Sequence, residues 1–401
     1  MPWKEACVVN VRGEFVLRSL RQEVPFTVLC REYGISTKTG YKWKERFLKN
    51  GCEGLHDQSR RPHASPGQLG DLQVCGLVRL KLAHRTWGPK KIREVFSRAH
   101  PGEEIPSLST VKRVLAKAGL VVHRPRRGQK ECGRIENHVD PEAPNQLWTV
   151  DFKGWWYSAE RERIEPLTVR DAYSRYALCA RIVENGKSET VRREFQRLFE
   201  VYGLPEAIRS DNGSPFACTS APLGLSRLSA WWVTVGIALD RIVPGHPEQN
   251  GAHERMHRDM AMEVEYGAGG DLREQQAALE VWRNEFNEER PHEALGMRVP
   301  AELYVKSSRR FRPGPVELTY PLGYLRRKVG RRGRIRIENI GVDISVAVGG
   351  YEVGLKPTGR GKYAVWFGPL CLGEIDLATQ SFRAARWSGK GPSEESGRGL
   401  V

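Results

Sequence analysis

The 401-residue sequence has no long hydrophobic run and no close pair of cysteines. A membrane-spanning helix needs about 18 consecutive apolar residues or more, and no segment comes near that length. Charged residues recur through the first 20 positions, which therefore lack the apolar core of a secretory signal peptide. The eight cysteines are scattered singly, which argues against a disulfide framework or a zinc ribbon. We therefore expect reduced thiols and a cytoplasmic protein.

The size of the chain predicts several domains. At about 150 residues per domain, 401 residues correspond to two or three domains. A chain of this length can bury a substantial hydrophobic core, so its stability does not require a disulfide or a structural metal.

The net charge of +16 is distributed unevenly along the chain. Residues 1–145 carry +12, residues 146–306 carry -5, and residues 307–401 carry +9. Basic regions are typical of proteins that bind a polyanion, because neutralised phosphates release counterions. A solvated basic surface without a partner is the alternative explanation. The acidic middle region indicates carboxylates that are kept for another purpose.

Residues 12–50 have the pattern of a helix-turn-helix, and we assign a first DNA-binding unit to residues 1–60. Apolar residues at helical spacing stop at Gly34, and Ser36 or Thr37 can cap a second helix that ends near Gly51. A plain helical hairpin with a polar face is the alternative.

The second helix of this unit is expected to pack through its apolar residues and to turn its cations toward DNA phosphates. The packing residues are Tyr41, Trp43, Phe47 and Leu48. The candidate DNA-binding cations are Lys38, Lys42, Lys44 and Arg46.

A second helical DNA-binding unit is predicted over residues 70–120. Its helices are expected near 72–83, 89–99 and 111–118, with a proline in the first turn of the middle one. Residues 121–146 form a basic linker that can follow a phosphate backbone, with Arg126 and Arg127 as candidate contacts.

From residue 147 the pattern changes to short strands and helices. Three β-rich runs are followed by a helix and then by alternating strands and helices. This order predicts an α/β layer with a mixed sheet across residues 147–306.

After residue 306 the chain becomes basic again. Short strand-like runs separated by glycines predict a small all-β barrel or sandwich over residues 320–387. Arg331, Arg332 and Arg334 precede or begin these runs and are candidate DNA contacts. Residues 388–401 are rich in Gly, Ser and Glu and are expected to be disordered.

Three carboxylates of the middle region stand out by their position. Asp151 lies inside an apolar strand, where an unpaired charge is costly and needs a partner or a metal. Asp211 lies where a strand ends in a turn, a usual place for site residues in open α/β sheets. Glu254 lies on a helix expected to begin at Pro247. Taken alone, three carboxylates among 48 acidic residues are equally compatible with structural or solvated roles.

The helix that carries Glu254 has an apolar stripe at i,i+4 spacing. The stripe consists of Ala252, Met256, Met260 and Val264. Because Glu254 and Asn250 lie off this stripe, both are expected to face the site. Two Asp and one Glu are hard oxygen ligands, suited to Mg²⁺, and such a cluster can hold two ions about 4 Å apart.

Longer motifs surround the three carboxylates. They are LWTVDFKG at 147–154, IRSDNG at 208–213, and PGHPEQNGAHERMH at 244–257, followed by NEERPHEALG at 287–296 and PAELY at 300–304. These motifs resemble the integrase-type catalytic core. The sequence looks like a DDE transposase of a bacterial insertion sequence, close to the four-eight-one family. The resemblance extends from the helix-turn-helix units through the core to the small basic β-domain.

The resemblance implies a ribonuclease-H-like core in which Asp151, Asp211 and Glu254 are the catalytic, metal-binding triad. It implies two Mg²⁺ or Mn²⁺ ions as cofactor and Mg-dependent 3′-end cleavage and strand transfer as the reaction. The implied partners are double-stranded DNA at the element ends and at the target, and further copies of this chain in a homodimer or larger oligomer. No spacing in the sequence matches the His/Cys zinc module of retroviral integrases, so we predict no zinc.

The sequence His253-Glu254-Arg255-Met256-His257 also satisfies HExxH, the helical signature of zinc peptidases. We expect instead that His253 packs near the apolar stripe, and that His257 and Asn250 contact DNA. A zinc peptidase and a catalytically inactive helix-turn-helix regulator remain alternatives at this point.

Two further expectations concern packing. Trp155, Trp156, Trp231 and Trp232 lie near predicted strands and are expected in the core. Arg290 follows the last core helix and is expected to fix the end of that helix.

Overall fold

A computed structural model describes residues 7–58, 69–121, 140–243, 246–267, 269–314 and 317–386. The chain divides into two compact units, Met1–Gly70 and Asp71–Val401. Most of the expected basic linker, including Arg126 and Arg127, and the expected disordered tail lie outside the described residues. Within the described ranges, no helix is both long and apolar enough to span a membrane.

The first unit contains the predicted helix-turn-helix. Its helices are α1 (Val8–Arg21), α2 (Phe26–Glu32) and α3 (Thr37–Asn50), followed by a 3₁₀ turn at Gly51–Leu55. The Ser36 hydroxyl caps α3 by accepting a hydrogen bond of 3.2 Å from the Thr39 amide. Gly51 ends the helix with a φ of +61°, which a residue with a side chain rarely adopts. The helix-turn-helix prediction is confirmed.

The core of this unit differs from the prediction for α3. Trp43 is buried, but Leu48 is 66 % exposed, so the packing predicted for Leu48 is wrong. Tyr41 is 59 % exposed, although the centre of its ring lies 4.2 Å from that of Phe26. The reason is the position of Gly40. At this glycine, Phe15 and Cys30 approach so closely that a Cβ would lie 2.9 Å from the Phe15 ring and 2.7 Å from Cys30 Sγ.

Gly40, Trp43 and Phe47 thus share the side of α3 that faces the core. Tyr41 and Leu48 are seven residues apart, which puts both on a different side.

The predicted DNA-binding cations of α3 also differ among themselves. Lys38 and Lys42 are exposed, as expected, whereas Lys44 and Arg46 are half-buried. The Arg46 guanidinium lies 5.2 Å from the centre of the Trp43 ring, and the Lys44 ammonium lies 5.6 Å from that of Phe26. Their stems cover the aromatic core of the unit, because long cationic side chains pack along apolar surface while the charge stays near water.

The second unit begins with three more helices. They are α4 (Asp71–Ala83), α5 (Pro89–Ala99) and α6 (Leu108–Lys117). Pro89 occupies the first turn of α5, and the Ser107 hydroxyl caps α6 through the Thr110 amide at 3.2 Å. Lys81 is buried in this group, and its ammonium donates to the carbonyls of Arg85 and Trp87 at 2.6 and 2.7 Å.

The middle of the second unit is a mixed β-sheet with helices on both faces. The strands of this region are β1 (Leu147–Phe152), β2 (Trp156–Tyr157), β3 (Arg163–Ile164), β4 (Pro166–Asp171), β5 (Ala177–Ile182), β6 (Ala207–Ser210) and β7 (Ala238–Arg241). Strands β2 and β3 form a separate hairpin. Its helices are α7 (Ser188–Tyr202), α8 (Arg227–Thr234), α9 (Gly251–Glu263) and α10 (Leu272–Glu288).

The five main strands are arranged in the order β5-β4-β1-β6-β7. Strand β4 pairs antiparallel with both β1 and β5, whereas β6 is parallel to both β1 and β7. This is the ribonuclease-H-like arrangement, and the predicted mixed α/β sheet is confirmed.

Each face of the sheet has its own hydrophobic core. One face packs on α7 and α8, where Trp231 and Trp232 are buried as predicted. The other packs on α9 and α10, where Met256 and Trp282 are buried together with Trp156. Trp155 is 54 % exposed, so its predicted place in the core is wrong.

Helix α9 begins later than predicted. A 3₁₀ turn occupies Pro247–Asn250, and the α-helix starts at Gly251. Met256, Met260 and Val264 are buried as expected, but Ala252 is exposed. The buried side begins instead at His253, because His253, Met256, His257 and Met260 follow one another at three- or four-residue spacing.

Polar contacts connect α10, and the residue just beyond it, to neighbouring helices. Arg290, just beyond α10, binds Asp259 at 2.7 Å and Glu263 at 2.8 Å, both on α9, which agrees with its expected structural role. The His84 imidazole lies 2.9 Å from the Glu285 carboxylate of α10, which joins the preceding helices to the core.

The C-terminal region is all-β, as predicted. Its strands are β8 (Leu325–Lys328), β9 (Arg334–Ile337), β10 (Ile340–Asp343), β11 (Glu352–Gly359), β12 (Lys362–Phe367), β13 (Leu370–Asp376) and β14 (Ser381–Ala384). An antiparallel sheet has the order β14-β13-β12-β11-β8, and the β9–β10 hairpin lies beside both of its edge strands. Ala230 and Val233 of α8 belong to the same apolar core, so this region packs directly on the mixed-sheet domain.

Two glycines inside helices of the first unit, Gly13 and Gly40, give a matched test of its packing. Replacing Gly by Ala inside a helix gains about 1 kcal/mol from helix propensity alone. At Gly13 of α1 the new Cβ would meet its nearest neighbour at 3.6 Å, an ordinary contact, whereas at Gly40 it would overlap Cys30 and Phe15. We expect Gly13→Ala to stabilise the unit, and Gly40→Ala to destabilise it by about 1 to 3 kcal/mol.

Amide hydrogen exchange of residues 7–58 in the full-length protein measures both effects. Slower exchange in Gly13→Ala and faster exchange in Gly40→Ala are expected. Equal protection in the two variants would contradict the packing described for α3.

Candidate active site

Asp151 and Asp211 lie at one edge of the mixed sheet. Asp151 is the fifth residue of the central strand β1, and Asp211 follows directly on the last residue of β6. Because β1 and β6 are parallel neighbours, their carboxyl ends meet at the same edge. The structure therefore brings together two residues that lie 60 positions apart in the chain.

The turn that carries Asp211 is fixed by its own hydrogen bonds. The Asp211 carboxylate accepts a hydrogen bond of 3.2 Å from the Gly213 amide. The Asn212 side chain donates to the Ile242 carbonyl at 2.7 Å, just beyond the end of β7. These bonds hold the turn against the neighbouring strand and limit the positions that the Asp211 carboxylate can take.

Glu254 lies in the first turn of α9 and is exposed. Buried arginines of the sheet hold the start of this helix. Arg170 of β4 donates to the Ala252 carbonyl at 2.7 Å, and Arg209 of β6 donates to the Gln249 carbonyl at 3.4 Å. The helix start is thus anchored to strands on both sides of β1, next to Asp151.

The carboxylates influence one another electrostatically. The pKa of Asp151 is raised to about 7, first by burial, then by the charge of Asp211, and to a smaller extent by that of Glu254. A hydrogen bond from the Phe152 amide opposes this shift. Asp211 and Glu254 thus both disfavour the ionised form of Asp151, and a cation or a proton at Asp151 would relieve that repulsion.

Asn250 contributes a further oxygen to the same place. This residue is 7 % exposed, and its amide nitrogen lies 3.4 Å from Asp151 Oδ2. Its Oδ1 atom is buried and has no hydrogen-bond partner among the described residues. A buried acceptor without a donor is unfavourable, and a bound ligand or cation would satisfy it. The structure therefore places Asn250 beside Asp151, in agreement with the expectation that it faces the site, and its contact with DNA stays a prediction.

The side chains suit a hard divalent cation. Among the described residues, no three side chains of His, Cys, Asp or Glu already form a ligand cluster. The donor chemistry nevertheless fits, because mutual repulsion raises the Asp151 pKa and the Asn250 oxygen lacks a partner. Carboxylate and amide oxygens are the ligands that Mg²⁺ and Mn²⁺ prefer.

The two histidines of the HExxH motif point away from Glu254, into the sheet. Both are buried, and both Nε2 atoms lie 2.7 Å from the hydroxyl oxygen of Thr168. His253 Nδ1 lies 2.8 Å from the hydroxyl of Thr149. Three of the four imidazole nitrogens are thus engaged by threonines, which is a poor match to a zinc peptidase. His257 is 8 % exposed, so the expected approach to DNA phosphate is wrong.

Burial also keeps these imidazoles uncharged. The pKa of His257 is lowered to about 3, mainly by burial and then by the charges of Lys153 and Arg170. The pKa of His253 is well below its ordinary value for the same main reason, with further contributions from His257 and Arg170. Both side chains are therefore neutral hydrogen-bonding groups near pH 7.

The predicted DNA contacts of the C-terminal region are accessible. Arg331, Arg332 and Arg334 are all exposed. Arg331 lines a groove of about 620 Å³ between the β-domain and the core. The core side of this groove contributes Lys187, Arg192 and Arg227, which the sequence analysis missed because they lie in a region of net negative charge.

A larger cleft of about 1100 Å³ adjoins the turn of Asp211. Asn212 and Arg241 line it from the core, and Arg383 and Arg386 line it from the end of the β-domain. The sequence gives no signal for this cleft, since its basic residues are isolated in the chain and meet only through the packing of the two domains.

Comparison with known proteins adds independent matches. An integrase core domain model matches residues 141–247, and a second one matches residues 235–300. A helix-turn-helix domain model matches residues 11–63, and a homeodomain-like model matches residues 39–115.

Two curated relatives come from insertion elements. The uncharacterized 31.7 kDa protein of insertion element IS407 from Burkholderia multivorans is 29 % identical over 249 residues, which is 61 % of this chain and 84 % of that protein. The uncharacterized 39.2 kDa protein of IS476 from Xanthomonas euvesicatoria is 27 % identical over 255 residues, or 62 % and 69 % of the two chains. Among solved structures, the catalytic core domain of BIV integrase is 22 % identical, covering 40 % of this chain and 93 % of that one, with a TM-score of 0.31.

The raised pKa of Asp151 predicts a pH-dependent effect on stability. In the metal-free protein this carboxyl group has a pKa of about 7, against 3.8 for an unperturbed aspartate. Between these values the folded state binds the proton more tightly than the unfolded state, so the stability contributed by this group falls as the pH rises from about 4 to about 7. Asp151→Asn removes the charge and should stabilise the metal-free protein more at pH 8 than at pH 5, by a difference of about 1 to 2 kcal/mol.

Thermal unfolding in the presence of a chelator, at the two pH values, measures this difference. Glu200→Gln, which neutralises an exposed carboxylate on α7, is the matched control and should show no such dependence. An Asp151→Asn variant that is less stable than the wild type at pH 8 would show that the ionised Asp151 carboxylate does not destabilise the folded protein.

Proposed function

We propose that this chain, an integrase-core protein with helix-turn-helix domains and relatives in insertion elements, is a DNA transposase. It binds the ends of its element, cleaves them to free 3′-hydroxyl groups, and joins those ends to target DNA. The observation that supports this most directly is geometric, since Asp151 and Asp211 lie at the carboxyl ends of the parallel strands β1 and β6. Glu254 lies in the first turn of α9, whose start is anchored to the strands on both sides of β1. A cluster of repelling carboxylates is destabilising in itself, and such groups are typical of functional sites.

In this proposal Asp151, Asp211 and Glu254 are the catalytic residues and hold two Mg²⁺ or Mn²⁺ ions. Such cations, when bound, neutralise phosphate charge and help to deprotonate the attacking oxygen. The chain contributes the fixed framework: β1 and β6 set the two aspartates side by side, and buried arginines set the start of α9. Asn250 adds an amide oxygen that can orient water or phosphate beside Asp151.

The reaction consists of two displacements at phosphorus. First, water attacks the phosphodiester at the element end, the bond to the 3′ oxygen breaks, and that oxygen leaves as a free 3′-hydroxyl. Second, the 3′-hydroxyl attacks a phosphodiester of the target, a new bond forms, and a target 3′ oxygen leaves. Neither step needs a covalent bond between protein and DNA, so no nucleophilic side chain is required.

The DNA would be held by the basic regions on either side of the core in the sequence. The helix-turn-helix of the first unit offers Lys38 and Lys42, and the C-terminal region offers Arg331, Arg332 and Arg334. Such cations neutralise phosphates, whereas base recognition needs side chains that reach into a groove. Because two element ends must be brought together, we propose that the protein acts as a homodimer or larger oligomer on DNA.

A strand-transfer assay tests the proposal. The full-length protein is incubated with labelled DNA from the two ends of its own element, a supercoiled target, and Mg²⁺ or Mn²⁺. Free 3′-hydroxyl ends and joined products are expected. Asp211→Asn should lower both rates by at least about a hundredfold, because a site for the metal is lost. The control Glu200→Gln should act like the wild type, and both variants should bind DNA equally well.

Full activity in Asp211→Asn would refute the assignment of the site. A wild-type protein that binds the end fragments but never cleaves them, with either metal, would instead indicate a DNA-binding regulator.

A further inference from the structure

The Thr168 hydroxyl is the centre of a buried hydrogen-bond cluster directly behind the candidate active site. Thr168 is fully buried on β4 and pairs in register with Asp151 on β1. Directly opposed residues of an antiparallel pair have their side chains on the same face of the sheet. The Thr168 side chain therefore lies on the same face as the Asp151 carboxylate, beneath α9.

Three groups meet at this hydroxyl. Thr168 Oγ1 lies 2.9 Å from the main-chain oxygen of Asp151. It also lies 2.7 Å from His253 Nε2 and 2.7 Å from His257 Nε2, both on α9. One side chain thus links the strand that carries Asp151 to the helix that carries Glu254.

The direction of each hydrogen bond follows from the groups themselves. A carbonyl oxygen can only accept, so Thr168 donates its single hydroxyl proton to Asp151. The hydroxyl oxygen then has only lone pairs left, so His253 and His257 both donate to it through Nε2–H. His253 Nδ1 is left as an acceptor, and the Thr149 hydroxyl at 2.8 Å is placed to donate to it. Every donor and acceptor at Thr168 is satisfied in one arrangement only, which makes the cluster directional.

The cluster also reaches the carboxylate of Asp151. His257 Nδ1 lies 3.9 Å from Asp151 Oδ2, so the imidazole ring stands against that carboxylate on its buried side. On the other side of the same residue, the Thr168 bond fixes the main chain. The place of Asp151 is therefore constrained at both its backbone and its side chain.

We propose that Thr168, His253 and His257 form a positioning cluster that sets the distance between Asp151 and Glu254. The catalytic consequence rests on the proposed function, whereas the link between β1 and α9 does not. Apolar packing alone would let α9 slide or rotate over the sheet, but three directional hydrogen bonds to one hydroxyl allow one register. Sites that bind metal through carboxylates depend on such support, because small displacements of a ligand cost much of the affinity.

The positioning cluster also accounts for the HExxH spacing. His253 and His257 are four residues apart and lie on the buried side of α9, so both can reach Thr168. Glu254, one residue after His253, turns about 100° away from that side. The two histidines of the motif therefore bind the side of α9 that faces the sheet, whereas Glu254 lies on another side of the helix.

Thr168→Val tests the cluster with little change in side-chain volume, because it removes the hydroxyl and keeps the shape. Thr168→Ser restores the hydroxyl. Thr234→Val is the matched control: Thr234 is also buried, and its hydroxyl donates to the Trp231 carbonyl at 2.7 Å within α8, which packs on the opposite face of the sheet. Both valine variants lose one buried hydroxyl, but Thr168→Val leaves three hydrogen-bond partners without it and Thr234→Val leaves one, so the local readouts below, and not total stability, decide between them.

Two readouts separate positioning from stability. In amide hydrogen exchange, Thr168→Val should open the first turns of α9, residues 251–257, at least about tenfold more often than Thr234→Val does. In calorimetric titration with Mn²⁺ alone, Thr168→Val should bind at least about tenfold more weakly than the wild type. Thr168→Ser should recover most of the affinity, and Thr234→Val should bind like the wild type.

Exchange in α9 that is the same in the two valine variants would overturn the positioning cluster. Mn²⁺ binding by Thr168→Val at wild-type strength would overturn its role in setting the carboxylates. A wild-type protein that binds no Mn²⁺ would count against the proposed function and its catalytic consequence, and the exchange result would still decide the link between β1 and α9.

Discussion

The carboxylate of Asp151 is half-buried and is repelled by two other carboxylates, and much of the central domain can be understood as the support for that arrangement. Burial and the charge of Asp211 together disfavour the ionised form of this group. A site of this kind persists only if the surrounding structure fixes it, since the chain could otherwise relax and let the charges separate. The parallel pairing of β1 and β6 prevents such relaxation, because it holds both aspartates at one sheet edge through main-chain hydrogen bonds.

The third carboxylate depends on a helix, which the sheet holds by polar contacts. Arg170 and Arg209 fix the start of α9 from the sheet, and Arg290 fixes its far end through Asp259 and Glu263. The histidines between these points add bonds to Thr168. Such contacts are directional, so they define the register of the helix as well as its proximity. The functional geometry of the core therefore depends on buried polar groups as much as on its apolar faces.

Local signals were enough to predict much of the architecture. Ser36 caps a helix where the sequence predicts a cap, and the order of strands and helices gives the mixed sheet. The predicted integrase core and helix-turn-helix domains are confirmed by the matching family models. Asp211 could be singled out because the end of a strand is visible in the residues that follow it.

The errors arose where tertiary packing decides. The exposure of Leu48 follows from the close approach of other helices at Gly40, which no periodicity reveals. His257 is expected from the sequence to approach DNA, yet Thr168, 89 residues away, provides a buried partner. Arg383 lines the cleft near Asp211 only because the β-domain packs on α8. Contacts between segments distant in the chain are not encoded in local patterns.

The ionised form of Asp151 is destabilised by its surroundings, and a bound divalent cation would stabilise it. Titration of the Asp151 carboxyl carbon by ¹³C NMR, first without metal and then with saturating Mg²⁺, tests it directly. We expect the pKa of Asp151 to be about 7 without metal and to fall by at least about two when Mg²⁺ is present. A carboxyl group that titrates near 4 in both conditions would contradict it.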